Sequence, residues 1–180
     1  MDTIIIVILV IIAIAAALVA FYIITYNKIQ KNIVRIEEAE SEIDDTLRRR
    51  YDLLEEMEKV INENTEVKQD NFKEFKKDSK FSNFDLDRQL TKIADTFSKI
   101  KADYRDELDI ETYRNLLVDL KMEEEKCTAA KTYYNKYTTE LNMLIGKFPS
   151  NIIARIHKIE TRLYFDNKDM KDDDILDFKL

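Results

Sequence analysis

The hydrophobic pattern of this chain opens with an unbroken block. Ile4 to Ile24 are 21 consecutive uncharged positions, with Tyr22 the one weakly polar side chain. A bilayer core takes roughly 20 apolar residues at the helical rise, so the block predicts a transmembrane anchor over residues 1–25, with its span at about 4–24. Beyond it the apolar residues become periodic. One stripe runs Ile29, Ile33, Ile36, Ile43, Leu47, Leu54, Met57 and Ile61. A second runs Leu86, Leu90, Ile93, Phe97, Ile100 and Tyr104. A third runs Ile110, Tyr113, Leu117, Leu120, Cys127, Ala130, Tyr134, Tyr137, Leu141, Leu144 and Phe148. Steps of three and four put each stripe on one face of a helix. A lone stripe cannot be buried, and short turns make sequence neighbours antiparallel. The expected fold is all-α: a transmembrane helix continuing into an antiparallel bundle of three long helices and a short fourth, over residues 26–165. An intermolecular coiled coil competes with it if the turns near Ser79 and Asp106 are helical instead.

Local signals set the expected boundaries. Tyr26 to Ile61 contains neither Pro nor Gly, so the anchor and the first helix are expected to be continuous. Asn62 to Asn64 is a candidate kink. Asp78 to Asn83 reads as a turn, with Ser82 or Asp85 as cap of the second helix. Asp106 to Asp109 reads as the next turn, with Asp109 as cap. Gly146 and Pro149 bracket the end of the third helix, Ser150 caps the next, and a short helix is expected from Asn151 to Leu163. Residues 166–180, with Asp172-Asp173-Asp174, read as an acidic, loosely ordered tail.

A cleaved signal peptide would begin with Lys or Arg and place small residues at a cleavage site. This chain begins Met1-Asp2-Thr3, and its alanines (Ala13, Ala15, Ala16, Ala17) sit in mid-block. The block therefore reads as an uncleaved anchor in contact with the lipid bilayer through residues 4–24. Lys28, Lys31 and Arg35 follow it closely, and basic residues resist translocation. The N-terminus is expected outside and the C-terminal part in the cytoplasm. Tyr22 and Tyr26 fall at headgroup level.

Composition narrows the chemistry. The chain has one Gly and one Pro, too few for the turns of an all-β fold or the loops that cradle phosphates. One Cys (Cys127) excludes an internal disulfide, and one His (His157) excludes the usual zinc and di-iron ligand sets. No catalytic, cofactor-binding or metal-binding residue is assigned. After the span, 35 acids face 29 bases, which argues against a nucleic-acid partner.

Charged residues interrupt two stripes: Arg50 between Leu47 and Leu54, and Glu124 between Leu120 and Cys127. An isolated buried charge is costly and a paired one tolerable. One reading pairs Arg50 with Glu124 in the core, with Arg49 or Asp44 as second partners. The other lets both long side chains reach water at the rim. Cys127 reads as a small core residue, His157 as a surface helix residue, and Glu55-Glu56-Glu58 and Glu123-Glu124-Glu125 as solvated faces. Asn135 and Asn142, one heptad apart, either bond to a neighbouring helix or face solvent.

Two stretches carry a resemblance. The first holds Tyr26-Asn27, then Ala39-Glu40-Ser41-Glu42-Ile43-Asp44, then Leu47-Arg48-Arg49-Arg50-Tyr51-Asp52-Leu53. The second runs from Glu124 to Asn135, with Lys131 and Tyr134, followed by Asn142, Phe148-Pro149-Ser150-Asn151 and the aromatic pair Tyr164-Phe165. Together they resemble the signature of the LemA family of bacterial membrane proteins. Glu40 stands where the family has an aromatic residue, and Lys131 where it has Arg. Leu54-Glu55-Glu56-Met57 replaces the family's Ile-Pro-Asn-Leu, and residues 58–107 match poorly. The resemblance implies a divergent member with one N-terminal span and a cytoplasmic helical bundle. It implies no reaction and no cofactor. Arg50 and Glu124 fall on signature positions, as expected of a structural pair.

The expected function is a non-enzymatic, membrane-anchored interaction or scaffold module for an unidentified membrane or cytoplasmic protein. The alternative is a homo-oligomer assembling through its anchor, where Ala13, Ala16, Ala17 and Ala20 permit close helix contact, and through its long first helix.

Overall fold

The computed structural model describes residues 2–72 and 82–166. The acidic tail beyond Asp166 and most of the turn expected at Asp78 to Asn83 lie outside the described residues. Helix α1 spans Asp2–Asn64, α2 Asn83–Asp103, α3 Glu111–Gly146 and α4 Ser150–Ile156. The fold is all-α, as the three stripes require.

No Gly or Pro interrupts α1, so beyond its first turn each backbone N–H can reach the carbonyl four residues back. That internal satisfaction is what a segment in lipid requires. Within α1 one window has a mean hydropathy of 3.5 and is wholly unburied, which makes this helix long and apolar enough to cross a membrane. The polar Asn62 to Asn64 stretch ends the helix without a kink. Thr65 closes it, its N–H and hydroxyl both donating to the Ile61 carbonyl. Ser82 caps α2, accepting from the Asp85 N–H at 3.1 Å. Residues 104–110 are not helical, so α2 and α3 do not form a single rod. Asp109 does not cap α3. The Arg114 N–H reaches the Ile110 carbonyl, and Asp109 pairs with Arg114 at 3.6 Å.

The short helix stops at Ile156, earlier than the expected Leu163. Lys158 takes a φ of 53°, which a right-handed helix excludes. From there the chain runs as a non-helical strap fastened to α3 by polar side chains. The Ser150 hydroxyl does not cap α4. It donates to the Leu144 and Lys147 carbonyls, tying the start of α4 to the end of α3.

The described residues form two compact units. Unit 1 contains 2–37 and 134–164. Its core is Ile29, Ile36, Leu141, Ile153 and Ala154, with Tyr26, Ile33, Tyr137, Leu144, Ile145 and Ile159 packed against it. Unit 2 contains 38–72, 82–133 and 165–166. Its core includes Ile43, Leu47, Leu54, Met57, Leu90, Phe97, Tyr113, Leu120 and Cys127. In unit 2, Arg50 of α1 meets Glu124 of α3, while Ala39 and Ala130 border a common groove. Falling α3 numbers against rising α1 numbers make the pair antiparallel. Residues 65–72 fold back along α1, with the buried Glu58 carboxylate accepting from both the N–H and the side-chain amide of Asn71 at 2.9 Å.

Candidate functional site

Arg50, Glu124 and Lys131 gather around Asp87 in unit 2. The Arg50 side chain is 4% exposed, and its Nη1 donates to Asp87 Oδ1 at 2.7 Å. Its Nη2 donates to Glu124 Oε1 at 3.2 Å and to the Thr91 hydroxyl at 3.3 Å. Lys131 Nζ donates to the other Asp87 oxygen at 2.9 Å. Two cations and two carboxylates thus balance, and α1, α2 and α3 each contribute at least one. Charge-assisted bonds of this length are about twice as strong as neutral ones. They offset the desolvation that a lone buried guanidinium would suffer.

The helices make this geometry possible. Asp87 and Thr91 sit one turn apart on α2, and the Thr91 hydroxyl also donates to the Asp87 carbonyl at 2.8 Å. Glu124, Cys127 and Lys131 follow one another at three and four residues on α3, on one face. The Cys127 sulfur, fully buried, lies 3.9 Å from Asp87 Oδ1. Lys131 also stands 5.5 Å from the centre of the Phe165 ring.

Spacing alone placed Arg50 and Glu124 on facing stripes, and the structure brings them together. Their environments differ: Arg50 is enclosed, whereas the Glu124 side chain is 40% exposed. Neither expected second partner joins them. Arg49 points to Glu123 at 3.7 Å, and Asp44 pairs with Arg48 at 2.8 Å. The true second partners, Asp87 and Lys131, escaped sequence reasoning. The available signal was an i, i+4 polar pair, Asp87 and Thr91, riding beside the Leu86 and Leu90 stripe.

The other signature positions divide by role. Ala39, Ile43 and Leu47 are buried; Tyr51 and Leu53 are half-buried; Ser41 and Asp52 face solvent. The Tyr51 ring meets Phe72 edge-on at 4.9 Å. In unit 1, Tyr26 is half-buried and Asn27 exposed, while Phe148 and Pro149 are exposed and Ser150 is buried. Asn142 is buried and grips the strap twice, donating to the Arg162 carbonyl at 2.7 Å and accepting from its N–H at 2.9 Å. The Tyr134 hydroxyl donates to the Leu163 carbonyl at 3.2 Å. Asn135 is half-buried, and its carbonyl accepts from Thr139.

A groove also opens in unit 2. Glu38, Ala39 and Glu42 of α1 and Lys126, Ala129, Ala130 and Tyr133 of α3 line it around about 380 Å³ of open space. Among the described residues, no three His, Cys, Asp or Glu side chains converge as a metal-holding group. Burial pushes the Tyr113 hydroxyl up from 10.0 to about 12. It donates to the Phe97 carbonyl at 3.4 Å.

A neutral charge cluster joining three helices and, separately, one helix long and apolar enough to cross a membrane define a helical-bundle protein with a candidate membrane anchor. The profile of the LemA family matches residues 39–176, most of the chain, and the chain belongs to that family. No curated protein and no solved structure matches it. The family is not known as a family of enzymes.

Proposed function

We propose that the protein is a single-pass, membrane-anchored interaction module without enzymatic activity. Its N-terminus lies outside and its bundle in the cytoplasm, anchored through residues 4–24. The observation that carries the interaction reading is the alanine-lined groove of unit 2. Small side chains on α1 and α3 leave about 380 Å³ open between acidic and basic edges. An apolar side chain of a partner would fill that space and remove its walls from water. The anchor raises the module's effective concentration for other membrane proteins. The basic residues Lys28, Lys31 and Arg35 support the orientation.

A photoreactive residue at Glu42 tests the reading in intact cells, with one at Arg48 as control. The expected result is one reproducible adduct from position 42, lost on Ala129→Arg, which fills the groove. Adducts at 42 and 48 that do not differ would overturn it. A crosslink from position 42 to a second copy would favour self-assembly instead. Protease applied outside spheroplasts should leave the bundle intact; its digestion would reverse the orientation.

A further inference from the structure

Helix α4 is apolar on two sides. Ile153 and Ala154 are buried in the core of unit 1, whereas Ile152 is 49% and Ile156 63% exposed, one turn apart. Phe148, just before the helix, is 79% exposed. A helix on a water-facing surface turns polar residues outward, and clustered exposed apolar side chains mark a contact surface.

The position of α4 within unit 1 identifies the contact. His157, which follows its last residue, is hydrogen-bonded to the Tyr22 hydroxyl at 2.6 Å, and its ring centre lies 4.5 Å from that of Tyr26. Tyr22 belongs to the apolar run itself, so the end of α4 is fastened where the anchor emerges from lipid. Leu144 and Ile145, near the end of α3, pack in the same cluster as Tyr26. The turn carrying Phe148 joins α3 to α4, one seven-residue helix away from the His157–Tyr22 bond.

Charge agrees with position. Residues 3–36 and 141–159 contain six bases (Lys28, Lys31, Arg35, Lys147, Arg155 and Lys158) and no acid, in a chain of net charge −7. Basic residues flanking an apolar face suit an anionic leaflet.

We propose that Phe148, Ile152 and Ile156 lie in the headgroup region of the bilayer that holds the anchor, making α4 a second, interfacial membrane contact. This rests on the anchor reading of residues 4–24. The contact holds unit 1 against the membrane surface by a helix lying in it as well as a helix crossing it.

The chain contains no Trp, so single reporters are free of background. The full chain is reconstituted in vesicles of phosphatidylcholine and phosphatidylglycerol, with or without bromine on the upper part of the acyl chains. The reporters are Ile152→Trp and Ile156→Trp, at exposed positions where the larger ring displaces no core. Ile12→Trp reports the anchor. Val34→Trp, 49% exposed in the same unit, stands about 15 Å along α1 from Ile24. Circular dichroism verifies that each variant keeps its helix.

The expected result is loss of emission in brominated vesicles for both α4 reporters and for Ile12→Trp, with Val34→Trp unaffected. If Ile12→Trp is quenched while both α4 reporters stay as bright as Val34→Trp, the interfacial contact is overturned and the anchor stands. If Ile12→Trp escapes quenching, both are overturned. A blue shift of the α4 reporters without bromine quenching would assign this face to protein and overturn the proposal.

Discussion

The two units are held by different chemistry. Unit 1 joins its helices with an aliphatic core and uncharged hydrogen bonds: Asn142 to the Arg162 backbone, Tyr134 to Leu163, Tyr22 to His157. An ion pair there, Arg162 with Glu37 at 3.6 Å, is largely solvent-exposed, and such pairs contribute little. Unit 2 instead buries a guanidinium against two carboxylates, with a lysine closing the set. The difference concerns register. A stripe of Leu and Ile at heptad spacing accepts a slip of seven residues with modest loss of apolar contact, whereas the Asp87 cluster closes in one alignment. In unit 1 the strap does that work, because Asn142 can pair with both polar groups of only one backbone residue.

Breaking the cluster at its centre has the largest expected effect. Asp87→Ala leaves Arg50 and Lys131 facing one carboxylate that is half in water, and is expected to destabilise unit 2 by about 3–5 kcal/mol. Hydrogen exchange of the full chain in nanodiscs should show lost protection at 82–133 with 134–164 little changed. The reciprocal lesion, Asn142→Ala, strands the Arg162 N–H and carbonyl at a cost of about 1–3 kcal/mol. The same experiment should show that loss in unit 1. Glu124→Gln should cost less than about 1 kcal/mol by urea unfolding, since its side chain is 40% exposed and Asp87 remains with Arg50.

A smaller effect is expected from pH. Tyr113 holds its proton to about 12 in the folded chain, above the ordinary 10.0. A raised folded value contributes stability that is complete below pH 10 and lost as pH climbs through 12. Absorbance titration near 295 nm should show a late-ionising component that is absent in Tyr113→Phe.

Much of this fold was legible because the stripes are long and nearly free of breakers. Ile43, Leu47, Leu54, Leu90, Ile93, Phe97, Leu120 and Cys127 were all expected on buried faces, and all are buried. Periodicity reports which face a residue occupies, not which neighbour it meets. Arg50 and Glu124 were visible because each interrupts a stripe. Asp87 was not, because it lies beside its stripe and resembles a solvated helix residue. The strap after Ile156 was hidden for a related reason. Ile159 and Leu163 keep a helical spacing of four, yet the chain there is not helical, its backbone bonded to Asn142 and Tyr134. Tertiary hydrogen bonds overrode local periodicity. Asp109 likewise had the composition of a cap, but Arg114 drew its carboxylate away.

The double-mutant cycle of Arg50→Met and Asp87→Leu, followed by urea unfolding of the full chain in detergent, tests most directly whether the buried charges act as one unit. Each single change leaves an unmatched charge, and the double change removes both members together. The double variant is expected to lose less than the sum of the single losses by at least about 2 kcal/mol. Losses that add to within about 0.5 kcal/mol would show that Arg50 and Asp87 act independently, and would contradict a charge lock holding the three helices in register.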